Sequence, residues 1–524
     1  MKIKQTIWLL AIAVALFTAC KKTKVTTLPE TPAGPSASGT RAELSKDSIF
    51  LYAKEVYLWN AMLPTYETFN PRKFTVYPDN LTNYEYELFE ITKYSKPYEY
   101  KDGASSSKYS YIFDKSTKNP TAAIKTASVD LEGNGNDFGV RLGFYGSETN
   151  YTIYATAIFQ NSPAEKAGFV RGDKITKINN VTYGSNFSGQ IDAISTALNG
   201  TTIKLEGLKS DGTAFNVTLT KAIFKSSPVY KSKVITAGAK KIGYLAYARF
   251  SSPENSVAEL NAIFSNFATS GVTDLIIDLR YNGGGYISTA EHLINLIAPS
   301  ATNNTVMFTE HYNALMQANG AKILTHQPLL DGNGKVQYTN GRIVTYADLD
   351  YSVAGNTTKF AKAGTLGNVS NIVFIVSGNT ASASELVINS LKPHMTVKLV
   401  GLTTYGKPVG FFPITIENKY DVYYSLFQTK NSLGQGEYFD GIVPDYSMSE
   451  VPANTIMYDF GNPNDNYLKK AIDVLSPGAV VTSQSKLSVV QEKSLSAPTS
   501  AVIHSELDNM EFKGMVETRH TFKR

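Results

Sequence analysis

The chain has 524 residues, too many for one ordinary hydrophobic core, so roughly two to four domains are expected. Its formal net charge of +5 is small for that length, and no block of basic residues is present to track a phosphate backbone, so nucleic acid is excluded as an expected partner. A single cysteine excludes an intramolecular disulfide.

The chain opens with an export signal. Lys2 and Lys4 supply positive charge, and Ile7 to Phe17 is unbroken apolar sequence. That run is too short to cross a hydrocarbon core of about 30 Å, which needs about 20 residues. Leu16-Phe17-Thr18-Ala19-Cys20 resembles the lipobox of bacterial lipoproteins, which implies cleavage before Cys20 and a lipid on its sulfur; Phe17 stands where leucine is usual. Residues 1–19 are therefore predicted to be a lipoprotein signal. Residues 20–40, rich in Lys, Thr, Pro, Ser and Gly, are predicted to be a flexible tether. A lipid-anchored protein of a bacterial cell envelope, on the periplasmic face or the outer membrane, is the expected location.

Residues 41–130 read as a mainly helical N-terminal domain. Ile49, Leu51, Tyr52, Val56, Tyr57, Leu58 and Trp59 recur at helical spacing behind a Ser45 cap, and a tyrosine-rich half follows with nothing catalytic in it. Residues 131–224 turn to short strands: Tyr151 to Phe159 alternates, and 201–208 pairs with 214–220 around Ser210-Asp211-Gly212. Between them, Ser162-Pro163-Ala164 suits a capped helical turn, Gly168 its stop, and Gly172-Asp173 the turn into a strand ending at Ile178-Asn179. This string resembles the PDZ domains of bacterial proteases. The resemblance implies that an extended peptide adds to a sheet edge at Gly139, Val140, Arg141 and Leu142, with Arg141 interrupting the usual apolar run. A module that only packs against its neighbour is the alternative.

Residues 225–478 alternate strands and helices, as an α/β domain does. A buried strand, 274–279, runs into Arg280-Tyr281-Asn282-Gly283-Gly284-Gly285, whose bare backbone amides can face an anion or a carbonyl oxygen. The Gly-x-Gly-x-x-Gly register and a Walker lysine are both missing, so an oxyanion hole is favoured over a nucleotide site. Strand 371–376 leads to Thr380-Ala381-Ser382-Ala383-Ser384-Glu385 and a helix over 386–391. Strand 396–401 leads to Thr404-Tyr405-Gly406-Lys407.

These three blocks, with Gly441-Ile442-Val443-Pro444-Asp445, resemble the C-terminal processing peptidases, or tail-specific proteases, of peptidase family S41. The resemblance implies a multidomain α/β fold: a helical N-terminal cap, a PDZ-like β-rich module and an S41-type core of crotonase/ClpP-like ββα units. It implies a serine endopeptidase acting on exported polypeptides without metal or organic cofactor. Ser382 would be the nucleophile and Lys407, 25 residues on, the general base; Glu385 would orient the lysine, and the Ala383 and Gly284 amides would bind the oxyanion. The base must be neutral, and an ordinary lysine is neutral in only about one molecule in a thousand near pH 7.4. Burial beside Val409, Phe411 and Phe412 would favour that form. Two positions depart from the family pattern. Pro408 replaces the glycine after the lysine, and Phe411 replaces a glutamine four residues beyond it, which keeps open an inactive, lipid-anchored peptide- or ligand-binding protein. The six histidines sit in no recognisable catalytic block, and no His-Glu-x-x-His or paired-Cys spacing occurs. Residues 303–365 read as an insertion and residues 479–524 as a tail.

Overall fold

A computed structural model describes residues 35–116, 129–331, 334–369, 371–451, 457–482, 514–517 and 522. The predicted signal, Cys20 and most of the tether lie outside them. Among the described residues no helix is long and apolar enough to cross a membrane.

Helix α1 (Arg41–Val56) packs on α2 (Asn80–Thr92), burying Ile49, Phe50, Ala53 and Val56 against Tyr84, Leu88 and Ile91. The cap of α1 is Thr40, not Ser45. Thr40 Oγ1 accepts from Glu43 N–H while Glu43 accepts from Thr40 N–H, so both partners satisfy otherwise orphaned donors. Ser45 lies one turn inside the helix, where its hydroxyl donates to Glu417. The tyrosine-rich half ends in β1 (Tyr111–Asp114), which pairs antiparallel with Tyr420–Tyr423 of the core. The N-terminal domain thus shares one hydrophobic cluster with the core.

The second module is a twisted sheet in the order β2 (Val140–Ser147), β3 (Asn150–Ile158), β4 (Lys174–Ile178), β5 (Thr202–Leu208), β6 (Ala214–Thr220), with Val181–Thr182 pairing beside β4. Helix α3 (Phe187–Asn199) closes its core through Phe187 and Ile194. Ser162 caps the single turn Pro163–Lys166 as the sequence predicts, its hydroxyl accepting from Glu165 N–H.

The core is built on β7 (Val229–Ala237), β8 (Lys240–Tyr247), β9 (Asp274–Asp278), β12 (Asn371–Val376) and β13 (Thr396–Gly401). After β9 come β10 (Gly284–Tyr286) and β11 (Val306–Tyr312); after β13 come β14 (Val409–Gly410), β15 (Tyr420–Tyr423), β16 (Phe427–Asn431) and β17 (Tyr446–Ser447). The main sheet runs β17-β13-β12-β9-β8-β7, with Val481–Thr482 (β18) on its far edge. Strands β8, β9, β12 and β13 are parallel. Both faces are covered, so β9 and β12 read as continuous apolar runs. Leu275, Ile277 and Phe374 face helices α4 (Pro253–Thr269), α5 (Ile287–Ile297) and α6 (Ala383–Leu391). Ile276, Val373 and Ile375 face α7 (Asn466–Leu475). The carboxyl ends of β9, β12 and β13 deliver the glycine turn, the Ser382 turn and the Lys407 loop to one place.

The segment read as a tail contributes to the sheets. Besides β18, Gly514–Val516 forms β19, paired parallel to β10.

Candidate active site

Ser382 sits at the N-terminal end of α6 with φ 60° and ψ −109°, a conformation that costs a non-glycine residue about 1–3 kcal/mol. Four hydrogen bonds button its turn to the glycine turn. Thr380 Oγ1 donates to Leu279 O (2.8 Å), Ser377 Oγ to Arg280 O, Ala381 N to Asn282 O (3.1 Å) and Ser384 Oγ to Asn282 O (3.0 Å). Ser384 therefore has a structural partner. Ser382 Oγ has none: it is fully buried and makes no hydrogen bond among the described residues, to Lys407 or any other group. Buried polar atoms are almost always satisfied, and an orphan of this kind marks a strained or reactive position.

The Lys407 loop folds back onto the same turn. Tyr405 N donates to Thr380 O (2.9 Å), and Gly406, at φ 82°, packs so closely on Phe439 and Gly441 that a Cβ would lie 2.6 Å from one carbonyl oxygen and 2.4 Å from the next amide. Lys407 is 1% exposed. Its Nζ lies 4.5 Å from the centre of the Phe411 ring and donates to Tyr109 O at 3.3 Å. Phe411 thus stands beside the amine. Val409 packs with Tyr109 and Phe439, and Phe412 turns away to stack on Tyr346.

Glu385 binds the two loops together through their backbones. One oxygen accepts from Ser382 N and Lys407 N, both at 2.8 Å; the other accepts from Gly406 N (2.7 Å) and the Thr404 hydroxyl. Burial pushes this carboxyl above its ordinary range, and the four donors oppose that rise. The carboxylate reaches the lysine through its main chain.

The amide of Ala383, first in α6, is one of those a helix leaves without an internal acceptor. It lies 3.0 Å from the point a Gly284 Cβ would occupy, so the two predicted oxyanion donors are neighbours. Gly284 N–H already donates to Asn282 Oδ1 (2.9 Å), while Asn282 Nδ2 anchors on Tyr247 O (3.0 Å). No group of three or more His, Cys, Asp or Glu side chains suited to a metal occurs among the described residues.

Two contributors escape sequence reasoning. Tyr109, from the N-terminal region, offers its carbonyl to Lys407 and its hydroxyl to Gly406 O (2.5 Å). Glu99 holds Tyr109 in place, accepting from Tyr109 N (3.1 Å), Ser110 N (2.6 Å) and the hydroxyls of Tyr57, Ser110 and Ser425. Neither has a local sequence signal.

Gly139, Val140, Arg141 and Leu142 belong to the second module, at the start of β2, an edge strand. Gly139, at φ 73°, abuts Ser162, and Val140 and Leu142 point into the module's core. The Arg141 guanidinium covers the Tyr281 ring at 4.3 Å. Around Tyr281 lies a buried charge cluster. Glu450 bonds Arg171 (2.5 Å), Arg280 (3.0 Å), Tyr145 (2.9 Å) and Tyr281, and Arg280 also pairs with Asp278 and Asp465. Burial alone would raise the Glu450 carboxyl; the two guanidiniums hold it down at about 2. This cluster joins the β2–β6 module to the glycine turn.

Residues 241–448 match the model of Peptidase family S41. The chain is 23% identical over 359 residues to the carboxyl-terminal-processing protease of Synechocystis, covering 68% of this chain and 70% of that one. It is 25% identical over 284 residues to the carboxy-terminal processing protease CtpA of Bacillus subtilis, covering 54% of this chain and 48% of that one. A crystal structure of an S41 protease from Bacteroides fragilis superposes with a TM-score of 0.55 at 20% identity, over 84% of this chain and 98% of that one, a likeness of fold. Residues 241–448, the part of the chain that carries Ser382, Glu385 and Lys407, are a peptidase family S41 domain.

Proposed function

We propose that the chain is a serine endopeptidase that cleaves exported polypeptides by a Ser-Lys mechanism. The observation that carries this reading is Ser382 itself: a buried, unbonded hydroxyl on strained backbone, held by one carboxylate to the loop of a buried lysine.

A neutral Lys407 amine takes the Ser382 proton as the oxygen attacks the peptide carbonyl, and removal of the amine from water favours that neutral form. The oxygen that becomes negative is received by Ala383 N–H and an amide of the 283–285 turn, with Gly284 exchanging its bond to Asn282. The lysinium returns its proton to the departing amine, leaving an acyl ester on Ser382. Water, deprotonated by the same amine, then hydrolyses the ester. The hydroxyl and amine must close on each other for the first step, and catalytic hydrogen bonds commonly tighten only around substrate.

The β2–β6 module is read as PDZ-like. Its edge strand β2 supports addition of a peptide there, and the Glu450 cluster supports gating of the glycine turn by the module. A lipid on Cys20 would tether the whole to the cell envelope.

Protein lacking the signal, incubated with an unstructured polypeptide, tests the peptidase reading. Cleavage should disappear in Ser382→Ala and persist in Ser384→Ala. Cleavage by the Ser382 variant would place the nucleophile elsewhere, and no cleavage by the parent would leave a binding protein instead.

A further inference from the structure

Residues 514–517 lie in the cleft between the glycine turn and the lysine loop. Strand β19 runs parallel to β10 in the register Gly284 to Gly514, Gly285 to Met515 and Tyr286 to Val516. On this edge Gly514 N donates to Gly283 O at 3.0 Å. On the other edge Phe411 N donates to Met515 O and Glu517 N to Phe411 O, both at 3.3 Å. The segment is therefore an added strand, bonded on both sides.

Its position relative to the chemistry is close. The point a Gly284 Cβ would occupy lies 2.4 Å from Gly514 O and 3.0 Å from Ala383 N, so one carbonyl of the segment stands at the mouth of the expected oxyanion hole. Phe411, which bonds the other edge, carries the ring that lies against the Lys407 amine. Met515 is fully buried in the main cluster. A backbone attacked by Ser382 has to run between the oxyanion donors and the base, and β19 lies between those two elements.

We propose that the groove between Gly283–Tyr286 and Phe411 is the binding site for an extended polypeptide, entered as a strand parallel to β10, and that Gly514–Glu517 is its resident occupant. The groove needs glycine at 284, where a Cβ would strike the ligand's carbonyl, and it takes an unbranched apolar residue in the Met515 pocket. Substrate and tail then compete for one groove. The competition rests on the peptidase reading; the peptide site does not.

The test uses the full mature chain carrying Ser382→Ala, so that binding is read without cleavage. The probe is a fluorescent synthetic peptide with the sequence of residues 511–520, followed by anisotropy. Met515→Asp, which places a charge in the apolar pocket, and Gly514→Pro, which removes the N–H bonded to Gly283, should each release the tail and tighten peptide binding at least tenfold over the parent. A peptide with Asp at the Met515 position should not bind. With Ser382 restored, the same two changes should raise kcat/KM on an unstructured polypeptide at least fivefold, mainly through KM, and the probe peptide should inhibit competitively. Affinity unchanged in both variants, or loss of folding in both, makes the strand part of the scaffold and overturns the proposal. Tightened binding with no cleavage in the Ser382 forms sinks the peptidase reading and leaves the groove assignment standing.

Discussion

Replacing Glu385 by Gln changes one atom at the junction of the nucleophile turn and the base loop. The carboxylate accepts from four donors: Ser382 N, Lys407 N, Gly406 N and the Thr404 hydroxyl. The least costly orientation of the amide keeps its oxygen on Ser382 and Lys407 and turns its NH2 toward Thr404, whose hydroxyl can accept while still receiving Ile442 N–H. Gly406 N–H then faces another donor. One buried orphan costs about 1–3 kcal/mol, and two charge-assisted bonds reduced to neutral ones cost about 1 kcal/mol each, so the site faces about 3–5 kcal/mol. Shifting the two loops apart relieves that cost. Misplacement of reacting groups by about 1 Å commonly costs about a hundredfold in rate. Steady-state cleavage of an unstructured polypeptide by folded Glu385→Gln should therefore show kcat down about a hundredfold with KM within a few-fold of the parent. A kcat equal to the parent's would refute the idea that this carboxylate aligns the pair.

Lys407→Arg should be inactive at every pH, since a guanidinium stays charged, while the parent's turnover should rise with pH through one ionisation; an active Arg variant contradicts a lysine base. Glu99→Gln should displace the Tyr109 carbonyl from Lys407, lower kcat about tenfold and move the pH profile of turnover, and an unmoved profile would make Glu99 merely structural. Glu450, held at about 2 in the folded chain, stabilises it by about 3 kcal/mol. Because the folded value is depressed, that stability is present above the ordinary carboxylate range and lost as pH falls through it toward 2. Thermal melts of the parent should fall steeply over that window, and those of Glu450→Gln should start lower and lose this slope; parallel curves contradict the pairing.

The central sheet was legible because its chemistry is local. Strands β9 and β12 are buried on both faces, so Leu275–Ile277 and Ile372–Val376 announce themselves as apolar runs, while Thr396–Gly401 is buried only in its second half. The same junctions place Ser382 and Lys407 at strand ends, so the residues proposed to carry the chemistry can be named from their blocks. What escaped depends on distant partners. Tyr109 reaches Lys407 across 298 residues of sequence, and β1 and β19 are short strands paired with segments far along the chain. Their few side chains set no period. Ser45 suits a cap because it precedes the apolar pattern, yet Thr40 and Glu43 form a reciprocal pair one turn earlier and extend the helix. The role of Glu385 was also hidden, because its partners are backbone amides, and no side-chain motif records those.

The central claim is that the Ser382 hydroxyl is the nucleophile and the Lys407 amine activates it. Labelling of the mature chain with a fluorophosphonate probe, followed by mass-spectrometric mapping of the modified peptide, tests it directly. One adduct is expected, on Ser382, formed faster as pH rises and lost in Lys407→Ala. An adduct on Ser384 or another serine, or labelling of Ser382 at an unchanged rate without the lysine, would contradict it.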